Sequence, residues 1–70
     1  MAYELAKTIL IVKVSELIAE NFHISIAEAR DRLYKSKLIK LIDDDETGLY
    51  GESPLYAFSI YEREIGSQKD

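Results

Sequence analysis

Apolar residues run through the first third of the chain with no glycine or proline to interrupt them. Two overlapping stripes at helical spacing contain many of them, and each stripe also includes one polar residue. The stripes are Leu10, Val14, Leu17, Ile18 and Asn21, and Lys7, Ile11, Val14, Ile18 and Phe22. The β-branched residues between Ile9 and Val14 would also suit a strand, but the pattern continues well past the about five to six residues of an average strand. The spacing therefore predicts one long helix over residues 3–22.

Two shorter helices follow in the pattern. Ser25 and Glu28 have the spacing of a capping box, in which the hydroxyl accepts a hydrogen bond from one free N–H and the carboxylate reaches back to another. Ser36 either ends this second helix or caps a third one over residues 37–42. The positions predicted to be buried are Ile26, Ala29 and Leu33 on the second helix, and Leu38, Ile39, Leu41 and Ile42 on the third.

A last helix is predicted after a polar loop over residues 43–51. Ser53 is placed to cap it, Pro54 suits its first position, and Gly66 is a natural stop. Its inner face would consist of Leu55, Phe58, Tyr61 and Ile65. Residues 66–70 are then expected to form a flexible polar tail. Residues 1–70 are thus predicted to form one small all-α domain, a compact bundle of three to four helices.

Composition narrows the class of protein. The chain has 70 residues, is 47% apolar and contains no cysteine, which argues against disorder and excludes disulfides and thiolate zinc sites. A monomer of this length has an expected radius of gyration of about 11 Å, which leaves little room for a deep substrate cavity. We therefore expect no catalysis, no cofactor and no small-molecule substrate. The chain lacks both a membrane-spanning apolar segment and a basic amino-terminal flank, which predicts a cytoplasmic protein.

The acidic loop has the start of a calcium-binding pattern. Asp43, Asp45 and Thr47 alternate and are followed by Gly48, as in the first half of such a loop. Position twelve, which must supply a bidentate glutamate, is Pro54. The missing ligand favours a solvated acidic loop over a metal site.

Five of the nine cationic residues lie in an eleven-residue window, at Arg30, Arg32, Lys35, Lys37 and Lys40. A helix, a break and a helix with basic residues can indicate a DNA-binding motif. However, Arg30 and Arg32 point about 160° apart on a helix, and the net charge of −4 is opposite to the usual charge of such proteins. A nucleic-acid-binding regulator that uses residues 30–40 is therefore the alternative hypothesis, and the solvated helix face is favoured.

Other groups that could carry chemistry are few. His23 is the only histidine, and with no second ligand or nucleophile placed by a base it is predicted to be a helix-end residue. The acidic pair Glu16 and Glu20 and the pair Glu62 and Glu64 have no glycine-rich loop near them. Surface charge is the simplest interpretation of both pairs.

The first helix points to a protein partner. Four successive apolar residues occupy positions 9–12 of this helix. At about 100° per residue they surround its whole circumference, so a core on one side cannot cover them all. Either the other helices surround it or another subunit does, and a dimer would enlarge the core of so small a chain. Tyrosine is enriched in interfaces but also covers cores. The predicted contact surface, in a homo-oligomer or with another protein, is Ile9, Leu10, Ile11, Val12, Tyr50 and Tyr56.

Four segments of the chain, taken in order, carry a family resemblance. They are Ile24-Ser25-Ile26-Ala27-Glu28-Ala29, Leu33-Tyr34-Lys35-Ser36, Asp45-Glu46-Thr47-Gly48-Leu49-Tyr50 and Ser53-Pro54-Leu55-Tyr56. In this order the chain resembles short bacterial proteins grouped as domain of unknown function 3791, over roughly residues 5–65. Members are sometimes encoded beside ADP-ribosyltransferase-like toxins. The resemblance therefore implies an antitoxin or accessory subunit with a toxin-like enzyme as its partner, and it carries over no catalytic residue.

Overall fold

Four α-helices and one 3-10 turn follow one another along the chain in a computed structural model, which describes residues 2–68 and the side chains of residues 4–66. The elements are α1 (Ala2–Phe22), α2 (Ile26–Lys35), α3 (Leu38–Asp43), a 3-10 turn (Leu49–Gly51) and α4 (Pro54–Gln68). No strand occurs in residues 2–68. The predicted all-α class, with a long first helix, two short helices and a last helix, is confirmed. The radius of gyration is 11.5 Å.

The helix starts are formed by the two predicted serines. The Ser25 hydroxyl accepts a hydrogen bond from the Glu28 N–H at 3.1 Å, and the Ser53 hydroxyl accepts one from the Tyr56 N–H at 3.2 Å. The carboxylate half of the capping box is different from the prediction. The Glu28 carboxylate accepts a hydrogen bond from Arg32 at 2.8 Å, so it serves the exposed face of α2.

α1 ends in a left-handed residue. His23 has a φ of 57°, and the Ile24 N–H donates to the Ala19 carbonyl at 3.1 Å across it. This bond closes the helix in the manner of a Schellman motif, in which glycine is the usual left-handed residue. His23 therefore lies at a helix end, as the sequence predicts.

Gly66 does not end α4, so the prediction of a stop there was wrong. α4 continues to Gln68, and no atom of another element lies within 4 Å of where a Gly66 side chain would begin. Glycine permits a left-handed helix end but does not require one, and it lowers helix stability only modestly. The predicted tail over residues 66–70 is therefore helical in its first three residues, and its last two lie outside the described residues.

The core is assembled around the inner face of α1. Its buried apolar residues are Leu10, Val14, Ile18, Ala29, Leu33, Leu38, Ile42, Leu49, Ala57, Phe58 and Tyr61. An aromatic cluster joins the end of α1 to α4, with ring centroids 6.1 to 6.5 Å apart among Phe22, Phe58 and Tyr61. α1 packs against each of the other three helices, so it is the centre of the bundle.

Three positions predicted to be buried are exposed, and so is one polar position on a predicted stripe of α1. Ile26 is 50% exposed because it is the first residue of α2 and side chains lean toward the amino end of a helix, away from the rest of α2. Leu55 is 67% exposed, since it lies about 120° from Tyr61 around the axis of α4. Leu41 is 38% exposed, and Asn21 is exposed with its side-chain amide donating to the Leu17 carbonyl at 2.8 Å.

Candidate interaction surface

α1 carries a second apolar stripe on the face opposite the core. It consists of Leu5, Ile9 and Val12, at the i, i+4, i+7 spacing of one helix face, and we call it the outer stripe. These side chains are 65%, 46% and 37% exposed, respectively. Ile9 and the fully buried Ile18 point about 180° apart. The other helices therefore do not surround α1.

The four apolar residues predicted to form the contact surface differ in their exposure. Leu10 is buried in the core and Ile11 packs half-buried against it, so the exposed part of this run is Ile9 and Val12. Leu5 is the member that the sequence reasoning missed. Its helical spacing to Ile9 and Val12 was the signal that could have found it.

The tyrosines are divided as well. Tyr61 is buried in the aromatic cluster, and this burial raises the pKa of its phenol. Tyr50 is half-buried, with the Lys7 ammonium 5.8 Å from the centre of its ring. Tyr34 and Tyr56 are 54% and 52% exposed. Of the two predicted interface tyrosines, Tyr56 therefore offers more surface to a partner than Tyr50.

An open groove lies beside the outer stripe, between α1 and the start of α4. Two adjoining cavities of about 450 and 320 Å³ form it, and Lys13 and Pro54 line both of them. We call it the α1–α4 groove. Its apolar lining residues are Ala6, Ile9, Leu10, Leu17, Pro54 and Leu55. Ile9 belongs to both features, so the groove and the outer stripe form one continuous surface.

Charged side chains of both signs border this groove. They are Lys13, Glu16, Glu20 and Glu52, and all four are exposed. In the part of the chain whose side chains the structure describes, none of them is in an ion pair. The groove therefore has an apolar floor and an acidic edge.

The acidic loop is neutralised by a lysine of α1. The Lys7 ammonium lies 2.7 Å from Asp45 Oδ1 and 3.8 Å from Asp43 Oδ1, and it donates to the Asp43 carbonyl at 2.9 Å. The hydrogen bond to Asp45 raises the pKa of Lys7, against the opposing effect of its burial. In side chains 4–66 no group of three histidine or acidic residues is placed to hold a metal ion. A lysine thus occupies the place that a cation would take between these carboxylates.

The rest of this loop is fixed by Thr47 and Gly48. The Thr47 hydroxyl donates to the Leu41 carbonyl at 2.7 Å and accepts from the Leu49 N–H at 3.2 Å. Gly48 has a φ of 64°, where a side chain would be strained. The residues that resembled a calcium loop therefore form the end of α3 and the turn that joins it to the 3-10 turn.

The basic segment over residues 30–40 makes several intramolecular contacts. Arg32 pairs with Glu28 at 2.8 Å, and Lys35 pairs with Asp31 at 3.0 Å. The backbone N–H of Lys37 donates to both carboxylate oxygens of Glu64, at 3.0 and 3.1 Å. Two of the five cations in residues 30–40 thus have acidic partners one turn away, as their spacing predicts.

Comparisons with known proteins do not assign the chain to a family. No family model, no curated protein and no solved structure matches the chain. The resemblance to domain of unknown function 3791 therefore stays a prediction. Among the described residues, no helix has the length and apolar character needed to cross a bilayer.

Proposed function

We propose that this protein is a protein-binding module that acts by contact and not by catalysis. The observation that carries the proposal is the outer stripe of Leu5, Ile9 and Val12, which lies on the face of α1 opposite the core. A helix that is apolar on two opposite faces has more apolar surface than its own bundle covers. A partner that covers the outer stripe would gain the burial of all three side chains.

The size of this gain shows how far the contact must extend. Complete burial of an aliphatic side chain is worth about 1.5–3 kcal/mol, so the exposed parts of the three side chains together supply about 3 kcal/mol. Association costs at least about 4 kcal/mol. The outer stripe alone is therefore too small, and the contact has to include the α1–α4 groove with the exposed Leu55.

The partner can be a second copy of the chain or a different protein. A toxin-like enzyme as the partner follows from the family resemblance alone. A nucleic-acid-binding function through residues 30–40 has less support, because two of the five cations are paired and the net charge of the chain is −4.

Site-specific photo-crosslinking tests the proposal. A benzophenone amino acid in place of Ile9 should give a discrete covalent adduct with another protein chain in the cells that naturally make this protein. The matched control is the same replacement at Ile26, which is equally exposed, at 50% against 46%, but lies on α2. The mass of the adduct separates a second copy from a different protein.

A further variant checks that the adduct depends on the outer stripe. Leu5→Asp in the crosslinking chain should abolish the adduct at position 9, because it places a charge in the apolar contact without touching the core. Equal adducts from positions 9 and 26, or none from position 9, would contradict a protein-binding role for this face.

A further inference from the structure

The α1–α4 groove has the dimensions of a helix-binding site. Its lining residues on α1 run from Ala6 to Glu20, which is about 21 Å along the helix axis at 1.5 Å per residue. A partner helix of about 14 residues has this length. Amphipathic helices commonly bind in grooves of this kind, with their apolar face on the floor and their polar residues at the edges.

The charges at the edge of the groove are unfavourable in the free protein. Glu16 and Glu20 are one turn apart on α1, where like charges repel each other. Glu20 also lies in the last turn of α1, where the helix dipole disfavours negative charge and no basic residue offsets it. Glu52 adds a third carboxylate from the other side of the groove.

Such local conflicts mark functional sites more often than other surfaces. We propose that the α1–α4 groove binds a cationic amphipathic helix of a partner protein, an inference that rests on the proposed function. The apolar face of the partner helix packs on Leu17 and Leu55. Its lysines and arginines pair with Glu16, Glu20 and Glu52, which relieves the repulsion along the edge.

A second copy of the chain fits this groove less well. In a two-fold dimer the same surface faces itself, so the acidic edges of both copies are brought into one interface. Each copy would bring three carboxylates and a single ammonium, from Lys13, to that interface. Like charges face to face oppose association, whereas a cationic partner is attracted.

Two synthetic helices test the assignment. Both have about 14 residues and a leucine face at i, i+3, i+4 and i+7 spacing, and they differ only in that one carries lysines and the other glutamates at the flanking positions. Binding to the full chain is followed by fluorescence anisotropy of a label on each peptide. We expect the lysine peptide to bind about tenfold or more tightly than the glutamate peptide.

Variants of the chain locate the binding. The double variant Glu16→Lys with Glu20→Lys should lose about tenfold in affinity for the lysine peptide and gain affinity for the glutamate peptide. Leu55→Asp should abolish binding of the lysine peptide. The matched control is the double variant Glu46→Lys with Glu62→Lys, which changes the net charge by the same amount at two exposed carboxylates that do not line the groove. It should leave both affinities within about twofold.

Three outcomes would overturn this assignment. The first is equal binding of the two peptides. The second is an equal loss of affinity from the control pair Glu46→Lys with Glu62→Lys and from the pair in the groove, which would indicate attraction to the net charge alone. The third is a homodimer in sedimentation that Leu55→Asp dissociates, since a second copy would then occupy the groove. None of them removes the crosslink expected at position 9, so the failure of this inference is distinguishable from that of the protein-binding function.

Discussion

The two apolar faces of α1 have similar side chains and opposite surroundings. On the inner face Val14 and Ile18 are fully buried by the other helices, whereas on the outer stripe Leu5 and Ile9 remain 65% and 46% exposed. The two lysines of α1 show the same contrast. Lys7 is held by Asp43 and Asp45 of the acidic loop, and Lys13, at the edge of the groove, is in no ion pair with a described side chain.

This difference separates what the fold uses from what it leaves available. The inner face and Lys7 belong to contacts that hold the bundle together, so their loss should be measured as a loss of stability. The outer stripe is the more exposed face of α1, and Lys13 is in no ion pair with a described side chain, so their loss should be measured mainly in binding. Matched substitutions on the same helix therefore test the comparison directly.

The largest expected effect is on the inner face. Ile18→Ala should lower the free energy of unfolding by about 3 kcal/mol, because it removes buried methyl groups and leaves a cavity. Ile9→Ala should change it by less than about 0.5 kcal/mol, since the side chain is half-exposed and alanine is the better helix former. Urea denaturation followed by circular dichroism measures both.

A milder variant tests the same comparison with less risk of unfolding so small a protein. Domains of this size have only about 3–5 kcal/mol of stability from their core, so Ile18→Ala alone could leave the chain unfolded. Ile18→Val should cost about 1 kcal/mol and remain folded. If Ile9→Ala cost as much as Ile18→Val, the outer stripe would be covered in the isolated protein and the comparison would fail.

The sequence predicts the local contacts of this fold better than the long-range ones. The caps at Ser25 and Ser53 are local, because each serine bonds an N–H three residues away, and so the starts of α2 and α4 were predictable. The ion pair of Lys7 with Asp45 joins residues that are far apart in the chain. Its formation depends on where the acidic loop packs, which no local pattern encodes.

The exposure of each side chain was the property of the candidate surface that the sequence predicted least well. Helical spacing places Leu10 and Ile9 on different faces of α1, but it does not say which face the other helices cover. The same holds for Leu55, which was predicted to be buried and in fact lines the groove. The neighbours of a helix decide its buried side, and these neighbours come from distant segments.

The second prediction compares the two lysines. Lys7→Met should lower the urea midpoint, because the acidic loop loses the ammonium that holds it to α1. Lys13→Met should leave the midpoint unchanged, since Lys13 has no ion pair with the described side chains to lose. Equal midpoints for the two variants would show that the contacts of Lys7 contribute nothing to folding.

The pH dependence of this difference has a defined sign. The pKa of Lys7 is raised above its ordinary value of 10.5 in the folded chain, so its contribution is fully present below pH 10.5 and is lost as the pH rises through the folded value. The gap between the wild-type midpoint and that of Lys7→Met should therefore be constant from neutral pH up to pH 10.5 and shrink above it. Tyr61, whose pKa is also raised, destabilises both chains alike above its ordinary value of 10.0.

The smallest effect is expected where α1 ends. His23 has a left-handed backbone with a φ of 57°, which costs a residue with a side chain about 1 kcal/mol that glycine does not lose. Glycine gains freedom in the unfolded chain, which offsets part of the benefit, so His23→Gly should stabilise the protein by about 0.5 kcal/mol.

His23→Ala is the control, because it keeps the strain without the imidazole. If the glycine and alanine variants were equally stable, the left-handed backbone at this position would cost no more than the freedom that glycine gains in the unfolded chain. Since His23 lines neither part of the groove, the glycine variant should bind the lysine peptide as tightly as the wild type does. Stability gained at the end of α1 would then be independent of binding along its outer side.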